Sequence, residues 1–195
     1  MLVFWRQRLV FLATPKTAST AIEQVLAPQA AVVVLRPPQL KHANAQKYRR
    51  TMAPFLGDAK GEEFMLTALM REPRDWLGSW YRYRQRREET ADKSTAAISF
   101  DEFVAAYCRP DQPEFAKVGN QATFLAPEGH RPVEYIFAYE RMGDFIRFLE
   151  KRLGLTIDLP RVNISQAGEL ALTAATEALL RRHCARDFAL YAGLG

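Results

Sequence analysis

Lys16 sits among hydroxyl side chains in Thr14-Pro15-Lys16-Thr17-Ala18-Ser19-Thr20, directly after the apolar run Leu9-Val10-Phe11-Leu12-Ala13. A buried strand that breaks at a proline and enters an amphipathic helix (Ala21, Ile22, Val25, Leu26) leaves free backbone N–H groups at the helix start. An ammonium group and hydroxyls beside those N–H groups make an anion site. A local reading competes for part of the turn, because Thr20-x-x-Glu23 fits a capping box and needs no ligand. That reading gives Lys16, Thr17 and Ser19 no reason to share the turn. The pattern Gly-x-x-x-x-Gly-Lys-[Ser/Thr] is absent and no glycine precedes Gly57, which disfavours an ordinary ATPase or kinase.

A second candidate follows the apolar run from Phe64 to Met70: Arg71-Glu72-Pro73-Arg74-Asp75-Trp76-Leu77-Gly78-Ser79. Pro73 suits a helix start, where its missing N–H costs nothing. Arg71 then stands at a strand end, with Ser79 two turns into the helix. A guanidinium can fork two hydrogen bonds onto a phosphate, and a hydroxyl can add a third. The alternative is that Arg71 pairs with Glu72 or Asp75 and that Ser79 is a small packing residue. For proton transfer the candidate base is His42, in Lys41-His42-Ala43 after the Pro37-Pro38 turn. Its alternative is a surface histidine capping the next helix, and His130 and the Glu62-Glu63 pair stand behind it. His42, His130 and His183 are widely separated, without zinc-like spacing, so no metal requirement is expected.

These residues need a scaffold. Apolar runs at 9–13, 32–35, 64–70 and 135–139 are mostly continuous rather than alternating, as in strands covered on both faces. Helical patterns lie between and after them, at 19–26, 43–55, 74–89, 100–107 and 142–153. This alternation predicts an α/β fold, a three-layer sandwich around a central, mostly parallel sheet with right-handed crossovers. Ligands bind beyond the carboxyl ends of such strands. The exits at Lys16, at Arg36-Pro37-Pro38 and at Arg71 should therefore converge on one edge. The stretch 168–191 reads as a long packing helix with room for one break, and 88–99 as an exposed loop that could serve as a lid. Trp76, Leu77, Trp80 and Tyr81 recur as one packing stripe, while Arg82, Arg86 and Arg87 suit a solvated face.

The 195 residues, 48% of them hydrophobic, suffice for one domain spanning 1–195 with a core that needs no disulfide. Cys108 and Cys184 fall in no metal or redox spacing and read as reduced core thiols. The charge of +5, from 27 basic and 22 acidic residues with arginine concentrated over 71–87, suits nucleic acid, an acidic polymer or a highly charged small cofactor, and composition does not choose among them. No apolar run is long enough to span a bilayer, and the first strand starts too early for a signal peptide, so a soluble, cytoplasmic protein is expected.

Taken in order, the two basic segments resemble the cofactor signatures of sulfotransferases that use 3′-phosphoadenosine 5′-phosphosulfate (PAPS). Thr14 to Thr20 is similar to that family's 5′-phosphosulfate loop, and Arg71-x-Pro73 with Ser79 is similar to its 3′-phosphate motif. The likeness extends more weakly to Asn120-Gln121-x-Thr123, Tyr139-Glu140, the helix before Leu153-Gly154-Leu155, and Asn163-x-Ser165, and is nearest to the carbohydrate sulfotransferase branch. The later Gly-x-x-Gly-x-x-Lys loop of the cytosolic small-molecule branch is not found. The resemblance implies a fold related to P-loop NTPases. It implies that Pro15, Lys16, Thr17, Ala18, Ser19 and Thr20 hold the 5′-phosphate, that Arg71 and Ser79 hold the 3′-phosphate, and that the coproduct is adenosine 3′,5′-bisphosphate. Lys16 would neutralise the departing oxygen, His42 would take the acceptor's proton, and the acceptor would be a hydroxyl or amine on a carbohydrate or small molecule. Two other functions compete: a small-molecule or nucleotide kinase on the same fold, and a non-catalytic module that binds RNA or another polyanion through Trp76, Trp80, Tyr81 and Tyr83.

Overall fold

The computed structural model describes residues 1–57, 63–86, 90–159 and 170–194. Glu62, Arg87, Glu88, Glu89, Asn163, Ser165 and Gly168, all named above, lie outside the described residues. The strands are β1 (Leu2–Phe4), β2 (Leu9–Leu12), β3 (Val32–Val33), β4 (Met65–Met70) and β5 (Tyr135–Ala138). The α-helices are α1 (Ser19–Leu26), α2 (Pro38–Lys41), α3 (Ala45–Lys47), α4 (Ala53–Leu56), α5 (Pro73–Arg84), α6 (Phe100–Tyr107), α7 (Gln121–Leu125), α8 (Met142–Leu153), α9 (Ala174–His183) and α10 (Ala185–Ala192). A π-helical stretch, Tyr48–Met52, joins α3 to α4 without a break, so the helix expected over 43–55 is present over 45–56 with a π-helical middle. The chain groups into two compact units, Met1–Arg71 with Gln121–Asn163, and Glu72–Asn120 with Ile164–Gly193, each taken over its described residues.

The first unit holds the sheet, in the order β3-β1-β2-β4-β5. β2 pairs parallel with β4, and β4 with β5, whereas β1 is antiparallel to both β2 and β3. The sheet is thus mixed, with a parallel centre; the expected alternation of strand and helix fails at β1, which joins β2 through a tight hairpin. Four strands still share one direction, because β3 reverses β1 just as β2 does. One face carries Leu2, Phe4, Leu9, Phe11 and Leu69, which pack with Ile22 and Leu26 of α1 and with Phe145 and Leu149 of α8. Phe11 meets Phe145 at 5.6 Å between centroids, and Phe137 meets it at 5.5 Å. Fully burying a ring, as at Phe11 and Phe145, contributes about 2 kcal/mol over leaving it in water. On the opposite face Val10, Leu12, Leu66, Ala68 and Met70 are equally buried, so the central strands are apolar on both sides, as continuous runs require. α8 ends where Gly154 adopts φ +70° and donates its N–H to the Glu150 carbonyl, a left-handed stop that glycine makes without steric cost.

The second unit is helical. Trp76, Leu77 and Tyr81 of α5 pack with Phe100, Phe103 and Val104 of α6 and with Leu180 of α9. The aromatic stripe is therefore core: Trp76 is 3% exposed and Tyr81 8%. Gly78 lets the chain at Leu170 approach, since a Cβ there would stand 2.5 Å from a Leu170 methyl. Ser99 and Glu102 form a reciprocal capping box at the start of α6. The expected long C-terminal helix breaks once, at Cys184 between α9 and α10. Cys108 and Cys184 are buried free thiols, and burial pushes them up to about 11 and about 12 respectively.

Arg84 departs from the solvated-face expectation for its neighbours. It is buried, and its guanidinium donates to the carbonyls of Glu114 (2.5 Å) and Lys117 (3.3 Å). The expected exposed loop is anchored at Thr95, whose hydroxyl donates to the Tyr81 carbonyl (2.7 Å) and whose N–H donates to that of Arg84 (3.1 Å).

Candidate functional site

The turn after β2 is set by backbone conformation. Lys16 and Ala18 are left-handed, at φ +66° and +57°, with Thr17 between them. Alternation of this kind turns successive N–H groups toward one concavity suited to an anion. Thr17 is buried and its hydroxyl donates to the Thr14 carbonyl (2.9 Å), which closes the turn from inside. Ala18, not Thr20, is the residue that precedes α1, and the first intrahelical bonds run from Ala21 and Ile22 to its carbonyl (3.0 and 3.3 Å). The N–H groups of Ser19 and Thr20 therefore precede the ladder at the positive end of α1. Each left-handed alanine or lysine costs about 1 kcal/mol, a strain that persists where surrounding structure enforces it and that clusters at functional sites.

The capping box at Thr20 and Glu23 does not form. Glu23 faces inward from α1, 2% exposed, where Oε1 accepts from the Met1 α-amino group (2.7 Å) and Oε2 pairs with Lys41 Nζ (2.9 Å). Lys41 Nζ also donates to Thr20 Oγ1 (3.2 Å), which ties the segment after β3 to the start of α1. The next residue, His42, places Nδ1 2.6 Å from the Ala13 carbonyl. A carbonyl only accepts, so Nδ1 carries the proton and Nε2 keeps its lone pair. Burial lowers the His42 pKa below its ordinary value, as does the nearby Lys41 charge, against the opposing bond to Ala13. Helix capping here falls to Asn44, whose side chain accepts from the Lys47 N–H (2.7 Å). His130 instead contacts Gln46 at 2.8 Å, and Glu63 pairs with Arg131.

No family model matches the chain, and neither does any curated protein. The site stands on its own geometry. β2 and β4 are adjacent and parallel, with Leu12 opposite Ala68, so the Lys16 turn and Arg71 leave the same edge of one sheet. β3 points the same way and brings exposed Arg36 to that edge. Arg71 follows β4 by one residue, with its guanidinium carbon 4.7 Å from the centre of the Tyr139 ring. Its Nε is buried without a hydrogen-bond partner among the described residues. Its backbone is held by Gln121, whose amide accepts from the Arg71 N–H (2.9 Å) and donates to the Arg71 carbonyl (2.8 Å). Glu72 caps α5 by accepting from the Asp75 N–H (2.8 Å). Ser79 lies in the second unit, on α5, and is 7% exposed.

Gln121 and Tyr139 carry structural roles that the sequence reading does not assign, although both fall in segments quoted for the family likeness. The signal available was a glutamine directly before the apolar helix residues Ala122 and Leu125, a poor place for an amide unless it has buried partners. Among the described residues no group of three or more His, Cys, Asp and Glu side chains could hold a metal ion, and no helix is long and apolar enough to cross a membrane.

Proposed function

We propose that this protein is a sulfotransferase that moves a sulfonate group from PAPS to a hydroxyl or amine acceptor, on an α/β fold of the P-loop-related type. One observation carries the reading: Arg71, with a buried Nε that has no hydrogen-bond partner among the described residues, shares a sheet edge with the Lys16 turn through adjacent parallel strands. Two anion-seeking groups on neighbouring strands suit a nucleotide with phosphates at both ends of its ribose.

In this reading Lys16 and the N–H groups of Ser19 and Thr20 hold the 5′-phosphate and stabilise the charge that grows on its bridging oxygen as the S–O bond breaks. Arg71 forks onto the 3′-phosphate. His42 Nε2 takes the proton of the acceptor oxygen as that oxygen bonds sulfur. Catalysis rests on positioning and electrostatics, as in phosphoryl transfer. The role of Ser79 at the 3′-phosphate rests on the sequence resemblance alone. So does the preference for a carbohydrate acceptor.

The test is a thermal-shift and calorimetric comparison of nucleotides. Adenosine 3′,5′-bisphosphate at a hundred times its Kd should add about 2.7 kcal/mol of stability, whereas ATP with magnesium should add little. No stabilisation by the bisphosphate would overturn the proposal. Stabilisation by ATP with magnesium in its place would move the assignment to a kinase.

A further inference from the structure

Gln121 opens α7 and is completely buried, and both ends of its amide bond one residue fifty positions earlier. Its Oε1 accepts from the Arg71 N–H at 2.9 Å and its Nε2 donates to the Arg71 carbonyl at 2.8 Å. A neighbouring strand would hold a backbone in this way. Here a side chain supplies the bonds one residue beyond the end of β4, where the regular ladder has stopped. Tyr139 directly follows β5, the other parallel neighbour of β4, and sets its ring 4.7 Å from the Arg71 guanidinium carbon. Arg71 is therefore held at two levels, its main chain by an amide and its head group by an aromatic face.

We infer that Gln121 and Tyr139 are positioning residues that preset Arg71 for the 3′-phosphate, and so make the chain select nucleotides phosphorylated at both the 3′ and 5′ positions over those phosphorylated at 5′ alone. This rests on the sulfotransferase reading. An unrestrained arginine loses rotamer freedom when it closes on a phosphate; one already fixed has less to lose, and the difference appears as affinity. Neither side chain touches the nucleotide for this purpose. Each acts through Arg71, so the effect should fall on the 3′-phosphate and spare the 5′ end, which belongs to the Lys16 turn.

The experiment measures Kd by titration calorimetry for adenosine 3′,5′-bisphosphate and for adenosine 5′-monophosphate, in the wild type and in Gln121→Met, Tyr139→Leu and Tyr139→Phe. The expected wild type prefers the bisphosphate. Gln121→Met and Tyr139→Leu should each weaken the bisphosphate by about tenfold, the scale of one lost hydrogen bond or ring contact. Both should leave the monophosphate within about twofold, since Gln121 and Tyr139 act through Arg71 and the 5′ end is held by the Lys16 turn. Tyr139→Phe keeps the ring and should keep the wild-type ratio. Equal weakening of both ligands in Gln121→Met, or of neither, would overturn the inference. Should Gln121→Met fail to fold, the Tyr139 pair decides: a ratio lost with leucine and kept with phenylalanine supports it, and any other pattern overturns it. A wild type that binds neither nucleotide would sink the sulfotransferase reading itself, and this inference with it.

Discussion

The Lys16 turn and the Arg71 exit leave adjacent strands at one edge, but they are made of different materials. The turn draws its character from main chain: left-handed residues at 16 and 18, a hydroxyl locked inside, and helix N–H groups that precede the ladder of α1. The exit draws its character from side chains, with a buried amide and a tyrosine ring fixing one arginine. A main-chain device tolerates changes of side chain that keep the backbone path. A side-chain device fails when a single partner changes.

The largest break in this contrast should come from Lys16, the one charged side chain in the turn. Lys16→Ala should lower kcat by about a hundredfold, roughly 3 kcal/mol of transition-state stabilisation, while changing nucleotide affinity far less. Single-turnover assays with labelled PAPS measure it, and wild-type turnover in the variant would show that the main chain alone does the work. A smaller effect sharpens the main-chain side. Ala18→Gly relieves a left-handed alanine and should raise stability by about 1 kcal/mol, less whatever the looser unfolded chain takes back. Chemical denaturation reads the sign, and a loss of stability would mean that the turn is not strained.

The smallest effect is a slope with pH. His42 has a lowered pKa in the folded protein, so the unfolded chain binds the extra proton more readily. Stability from this group is complete above the ordinary histidine value of 6.5 and is lost as pH falls through the lowered folded value. Melting temperatures across that window should fall less in His42→Gln than in the wild type. Parallel curves would remove His42 from its half-buried position at Ala13.

The elements that were legible in sequence are those with strong local signals. α1, α6 and α8 fall on their expected bounds because each joins an apolar stripe at helical spacing to a clear boundary: the proline turn before α1, Ser99 before α6, Gly154 after α8. β1 escaped notice for the opposite reason. Its hairpin turns through Trp5 to Arg8, with Arg8 left-handed at φ +50°, and carries no Gly, Asn or Asp to mark it. Its apolar run, 1–5, is as long as the run at 9–13, so the missing signal is the turn and not the strand. Glu23 imitated a capping residue in sequence, and only tertiary contact shows it serving the Met1 amine and Lys41. The Lys16 turn could be found from composition and order. The hold on Arg71 could not, because its partners lie at 121 and 139 and no local pattern links them to 71.

The pairing of Leu12 with Ala68 has one further implication. Because neighbouring strands sit about 4.8 Å apart, the hydrogen-bonded ladder acts as a ruler that fixes how far the two exits stand from each other. A single residue inserted into β4 would slide one exit past the other by about 3.3 Å and turn its side chains to the opposite face. Evolution can therefore redraw the loops beyond this edge with ease, while the alignment of the two strands beneath them is held to whole-residue steps.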